Sequence, residues 1–139
     1  MIDNKLFIML IDDNTTDLFL HERFIKHIDI AHKVISFNHA KQALAYLIEQ
    51  TSDSVFPDLI LLDIQMPVMN GFDFLKEYEE IQHESKCSVV MVSSSLDYGD
   101  INKAKANPMV LALLEKPLNL PLFLDTLSEN GVIDTIEKK

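Results

Sequence analysis

Asp12, Asp13, Asp63, Ser93 and Lys116 are the side chains whose types and positions could do chemistry together. They fall in four segments, Ile11-Asp12-Asp13-Asn14, Leu62-Asp63-Ile64-Gln65-Met66-Pro67, Val92-Ser93-Ser94 and Glu115-Lys116-Pro117, and each segment follows an apolar run. If every run is a buried strand, three carboxylates, a hydroxyl and an ammonium meet at one edge of a sheet. Carboxylates that close repel one another, and one of them would hold a proton unless a cation joined them. A hard divalent ion such as Mg²⁺, which favours few carboxylates plus waters and phosphate oxygens, removes that cost. Asp63 is then the candidate nucleophile, because aspartate can accept a phosphoryl group as an acyl phosphate. Phosphoryl transfer is mostly positioning and charge neutralisation. Lys116 supplies one cation and Ser93 a hydroxyl, with backbone N–H groups near Ile64, Gln65 and Ser94 as further donors. Singly, each residue has a plainer reading: a strand-to-helix turn with a cap, a loop lysine, a strand-end hydroxyl. The ordered set overrides them.

The elements that must position these residues follow from apolar patterning. Lys5 to Ile11 contains a continuous apolar run bounded by charge, as expected of a strand buried on both faces. Asn14 or Thr15 can cap a helix, with Asp17 in its first turn complementing the dipole. Leu18, Phe19, Glu22, Ile25 and Ile28 give that helix its rhythm. Val34 to Phe37 reads as a second strand, and Ala40 to about Gln50 as a second helix. Thr51 to Ser54 is a polar connector. Leu59 to Leu62 and Ser88 to Val92 read as the third and fourth strands, separated by a helix carrying Phe72, Leu75 and Tyr78 after the Asn70-Gly71 turn. A fourth helix between Leu96 and Ala106 has few large apolar residues, contains Gly99 and ends at Asn107-Pro108. Val110 to Leu114 is a fifth strand and Leu118 to Leu127 a last helix, stopped by Gly131. Residues 132–139 form a tail. Five apolar strands alternating with five helices predict a three-layer α/β fold with a parallel sheet and right-handed crossovers. In such sheets ligands bind beyond the carboxyl ends of the strands, where strand order reverses.

With 139 residues, 47% of them apolar, the chain is long enough for one domain with a core of its own. The net charge of −10 argues against a nucleic-acid partner, since phosphate binding needs Lys and Arg. No apolar run approaches the roughly 18–20 residues that span a membrane. The acidic N-terminal segment is unlike a signal peptide, and one cysteine, Cys87, suits a reducing cytoplasm. Cys87 reads as a small core residue and the five histidines as surface or boundary residues away from the acidic cluster. Pro117 leaves open whether the Lys116–Pro117 bond is cis or trans.

On Asp12, Asp13, Asp63 within Leu-Leu-Asp-Ile-Gln-Met-Pro, Gly71, Ser93 and Lys116-Pro117, the chain resembles the receiver domain of bacterial two-component response regulators, from Lys5 to about Glu129. The resemblance implies a flavodoxin-like (βα)5 fold with strands in the order 2-1-3-4-5. It implies a stand-alone, chemotaxis-regulator-like receiver occupying residues 1–139, with a core of about 5–129 and a tail of 130–139. It also implies phosphoryl transfer to Asp63 from a histidine kinase or histidine phosphotransfer protein, with slow self-hydrolysis rather than turnover of a free substrate. Mg²⁺ would lie on Asp12, Asp13, Asp63 and the backbone carbonyl of Gln65, while Ser93, Ser94 and Pro117 would belong to the switching loops. Two positions depart from the family. Leu113 stands where the switch aromatic usually lies, and Ser93 replaces the commoner threonine.

Two other readings compete. A Mg²⁺-dependent phosphatase of the haloacid-dehalogenase type would use an aspartyl phosphate too, but needs an aspartate where this chain has Gln65 and a cap domain that it lacks. A binding-only pseudo-receiver would omit charged residues that are all present here.

Overall fold

Strands form where apolar residues run unbroken, because both faces of each central strand are covered. The computed structural model of the chain describes residues 5–50, 56–81 and 87–133. The strands are β1 (Leu6–Ile11), β2 (Ala31–Phe37), β3 (Leu59–Asp63), β4 (Ser88–Ser93) and β5 (Val110–Glu115). All pair in parallel in the order β2-β1-β3-β4-β5. The helices between and after them are α1 (Thr15–Ile28), α2 (Ala40–Glu49), α3 (Gly71–Tyr78), α4 (Tyr98–Ala106) and α5 (Leu120–Glu129). The expected α/β architecture is borne out. Alternation along the strands divides the core into two layers. Met9, Ile11, Ile60 and Leu62 pack with the buried faces of α2 and α3. Ile8, Leu10, Leu59 and Leu61 pack with Leu18 and Ile25 of α1 and Phe123 and Leu127 of α5.

Register brings the strand ends level. Ile11 pairs with Leu62, so Asp12 and Asp63 leave neighbouring strands side by side. Ser93 pairs with Glu115, which places Lys116 one residue beyond, and the Lys116 N–H donates to the Ser93 carbonyl at 2.9 Å. Strand order reverses between β1 and β3, the crevice where ligands bind in sheets of this kind.

Helix ends follow the side chains available to cap them. Asn14, Asn70, Asp97 and Asn119 each accept a hydrogen bond from the backbone N–H three residues on. The Asp97 cap sets the start of α4 at Tyr98, within the expected span, while the Asn119 cap moves one expected boundary: α5 starts at Leu120 rather than Leu118. Leu118 instead packs into the core ahead of its helix. After α5, Gly131 takes the left-handed conformation at φ 73°, and the N–H groups of Gly131 and Val132 bond back to Ser128 and Leu127, a Schellman closure.

One face was misjudged. The buried side of α1 is Leu18, His21 and Ile25, while Phe19 is 59% exposed. His21 is therefore not a surface residue; it is the polar member of an otherwise apolar stripe. Cys87 is buried, as expected, and burial pushes its thiol up to about 12. The connector at 51–54, His83 and positions 134–139 of the tail lie outside the described residues.

Candidate functional site

Because β1, β3, β4 and β5 end level, their first loop residues converge. Asp12 is buried, and its Oδ1 accepts the Asn14 N–H at 2.9 Å. Asp63 is buried at the last position of β3. Asp13 is exposed. Each of the three offers a carboxylate oxygen, and these oxygens all lie within 4.8 Å of one another.

Lys116 reaches into this group. Its Nζ lies 2.8 Å from Asp12 Oδ2, 2.9 Å from Asp17 Oδ2 and 3.3 Å from Asp63 Oδ1. Burial alone would lower the ammonium's pKa, but hydrogen bonds to Asp12 and Asp17 and the charge of Asp63 outweigh it, and the net shift is upward. Lys116 is thus firmly charged. The Asp63 pKa is raised too, which for a carboxylate favours the neutral form: burial first, then the Asp12 charge, lift it from 3.8 to about 7 against the pull of Lys116. One ammonium does not neutralise the cluster.

That surplus of negative charge tests the site for Mg²⁺. Asp12 Oδ2 is buried, and the Lys116 ammonium 2.8 Å away is shared with Asp17 and Asp63. Three carboxylates held this close with one ammonium among them keep a surplus of negative charge, and a hard cation held by oxygen donors relieves it. The donor set fits the ion.

Gly71 sets the distance between α3 and the site. A Cβ at that position would stand 2.6 Å from the Asp63 carbonyl oxygen and 2.9 Å from Met91 Cε. Only a residue without a side chain lets the helix approach so closely. In the loop before it, Val68 has φ 70° and the Met69 N–H bonds the Pro67 carbonyl at 2.7 Å, a γ-turn that is rare for a β-branched residue.

Ser93 is fully buried and aimed elsewhere in this state. Its hydroxyl donates to the Ser95 carbonyl at 2.6 Å and accepts the Ser95 N–H at 3.2 Å. Gln65 Oε1 stands farther off, at 3.4 Å, while Gln65 Nε2 donates to Ser95 Oγ at 3.3 Å. One hydroxyl proton serves one acceptor well, and the shorter contact takes it. Ser94 is exposed beside this network. Leu113 is half-buried on β5 opposite Met91 and lines a mainly apolar cavity of about 340 Å³ with Leu96, Ile101, Ala104 and Val110. The Lys116–Pro117 bond is cis.

Sequence reasoning missed three neighbours. Asp17 was read only as a dipole partner, yet it holds Lys116. His21, one turn further along α1, is influenced by Asp12, Lys116 and Asp17, and burial lowers its pKa. Ser95 bonds Ser93. For Asp17 and His21 a helical-wheel projection gave the available signal, since both share the side of α1 that carries Leu18 and Ile25. For Ser95 there was none.

Comparisons with known proteins agree with this geometry. The response regulator receiver domain family matches residues 8–128. The two-component response regulators ARR16 and ARR17 of Arabidopsis thaliana are 34% and 32% identical, over 85% and 86% of this chain and 76% and 80% of theirs. Among solved structures, a response regulator receiver protein from Dyadobacter fermentans is 35% identical with a TM-score of 0.75, covering 88% of this chain and 94% of its own. A two-component response regulator from Cytophaga hutchinsonii is 29% identical with a TM-score of 0.81, covering 93% and 98%. With the acidic crevice, the level strand ends and a family match over most of its length, the chain belongs to the response regulator receiver domain family.

Proposed function

We propose that the chain accepts a phosphoryl group on Asp63 from a phosphohistidine donor, a histidine kinase or a histidine phosphotransfer protein, and signals or relays it through protein contacts. The observation that carries this is the pairing of a buried strand-end carboxylate with Lys116 Nζ, 3.3 Å away, inside a cluster of carboxylate oxygens that still lacks positive charge. An Asp63 oxygen forms the new P–O bond as the donor's P–N bond breaks, and the released imidazole takes up a proton. Lys116 neutralises a phosphoryl oxygen, and the Ser93 hydroxyl turns from Ser95 to another. Asp12, Asp13, Asp63 and the Gln65 backbone carbonyl would hold Mg²⁺, which when bound offsets the charge of the carboxylates and phosphoryl oxygens. Water later attacks phosphorus and returns the carboxylate, so the protein turns over its own phosphate rather than a free substrate. A cytoplasmic setting suits this reading, and none of the described helices is long and apolar enough to cross a membrane.

Intact-protein mass after incubation with acetyl phosphate and Mg²⁺ tests it. One phosphoryl group adds ~80 Da as a labile acyl phosphate, expected in the parent and absent both from Asp63→Asn and after EDTA. No adduct in the parent, with beryllofluoride also leaving the protein unperturbed, would sink the proposal.

A further inference from the structure

Asp17 occupies a place in the site that the phosphoryl-transfer reading does not use. Four contacts close a ring. The Asn14 N–H donates to Asp12 Oδ1 at 2.9 Å, and the Asp17 N–H donates to Asn14 Oδ1 at 3.1 Å. Lys116 Nζ donates to Asp17 Oδ2 at 2.9 Å and lies 2.8 Å from Asp12 Oδ2. The cap of α1 and the site's one ammonium are therefore parts of the same cycle. Each of its contacts either fixes the turn after β1 or points Lys116 at the carboxylates.

The three carboxylates around Lys116 differ in what else they serve. Asp12 and Asp63 belong to the cluster that suits a divalent cation, and Asp63 would become neutral on one oxygen once phosphorylated. Asp17 lies outside that cluster, and its side chain is 27% exposed. Its backbone is held by the Asn14 cap, so its carboxylate reaches Lys116 from a fixed point on the first turn of α1. An ammonium has three donors and no acceptor. In this state all three face carboxylates; when a phosphoryl group and a metal engage Asp63 and Asp12, the Asp17 bond is the one left intact.

We propose that Asp17 is a positioning residue for phosphoryl transfer, a fixed tether on α1 that keeps the Lys116 ammonium aimed at Asp63 while its other two partners change. The proposal rests on the reading of Asp63 as phosphoacceptor. Its direct consequence, restraint of Lys116 by Asp17, is measurable without any phosphate.

The test uses Asp17→Asn, which keeps size and backbone but removes the charge, and Asp17→Glu, which restores the charge on a longer arm. The Lys116 ammonium is followed by ¹⁵N-resolved NMR, and the acetyl phosphate-dependent rate at saturating Mg²⁺, the Mg²⁺ Kd and the Tm are measured alongside. A slowly exchanging Lys116 ammonium signal is expected in the parent, broadened or lost in Asp17→Asn and partly recovered in Asp17→Glu. Phosphorylation at saturating Mg²⁺ should slow roughly tenfold in Asp17→Asn, the scale of one charge-assisted hydrogen bond. The Mg²⁺ Kd should change less, because Asp17 is outside the oxygen cluster. An unchanged Lys116 signal and rate in Asp17→Asn would overturn the proposal, as would a loss of rate matched by an equal loss in Mg²⁺ affinity. If the parent formed no acyl phosphate yet its Lys116 signal responded to the variants, the phosphoacceptor reading would fail while the tether itself stood. If Asp17→Asn were too unstable to study, a Lys116 signal in Asp17→Glu weakened relative to the parent, with a slower rate, would support the tether, and a signal and rate there identical to the parent's would count against it.

Discussion

The centre of the sheet and its β4–β5 margin are built to different standards. β1 and β3 are buried at every position, whereas the first four residues of β5 are only half-buried and α4 buries Ala104 alone among its residues. The nucleophile candidate and its acidic neighbours stand on the rigid strands. Ser93, Leu113 and the apolar cavity lie toward the looser margin. Rigidity is where carboxylates must be held against repulsion, and slack is where a change at Asp63 could be passed on, since segments with few buried apolar contacts open most cheaply.

Leu62→Ala should break this comparison most severely. Leu62 is fully buried immediately before Asp63, and the loss, read from urea unfolding, should be ~2–5 kcal/mol. Gly71→Ala comes next: the added methyl meets the Asp63 carbonyl, a backbone atom with no room to give, at an expected cost of about 1–3 kcal/mol. Because the strain falls on Asp63 itself, its phosphorylation should slow as well. Leu113→Ala, at the margin, should cost less, roughly 1–2 kcal/mol, because the side chain is only partly buried and borders a cavity. A cost equal to that of Leu62→Ala would erase the distinction between the two regions.

A further effect is on pH. Asp63 has an ordinary pKa of 3.8, raised to about 7 in the folded protein. The folded state then binds this proton more tightly than the unfolded state. The stability it contributes is full below about pH 4 and is lost as pH rises through 7. Urea midpoints of the metal-free protein, corrected with Asp63→Asn, should show that fall between pH 4 and 7. Added Mg²⁺ should suppress it, with calorimetry registering proton release near pH 7.

The fold was largely legible because doubly buried strands leave continuous apolar runs that nothing else in a chain of this kind produces. The carboxyl ends of the strands could therefore be located to within a residue, and with them Asp12, Asp63, Ser93 and Lys116, whereas β2, whose residues are partly or fully exposed, begins at Ala31, three residues before its expected start. Helix starts were less clear, since a capping asparagine or aspartate decides them and Leu118 looks like helix whether or not it is inside one. His21 was misplaced because its polar side chain interrupts an apolar stripe that it nevertheless belongs to. The bond between Asp17 and Lys116 had no local signature, being made by residues far apart in sequence. Ser95 was hidden by equivalence: three adjacent serines, 93 to 95, differ only in which way the loop turns them.

The Lys116–Asp17 bond joins positions 99 residues apart. During synthesis the acidic half of the site leaves the ribosome first, and at roughly 5–20 residues per second its cation follows about 5–20 s later. In that interval the carboxylates of Asp12, Asp17 and Asp63 lack this ammonium. The contacts of Lys116 are thus a sign of completed folding: they exist only in a molecule whose opening strand and helix have already met its last strand.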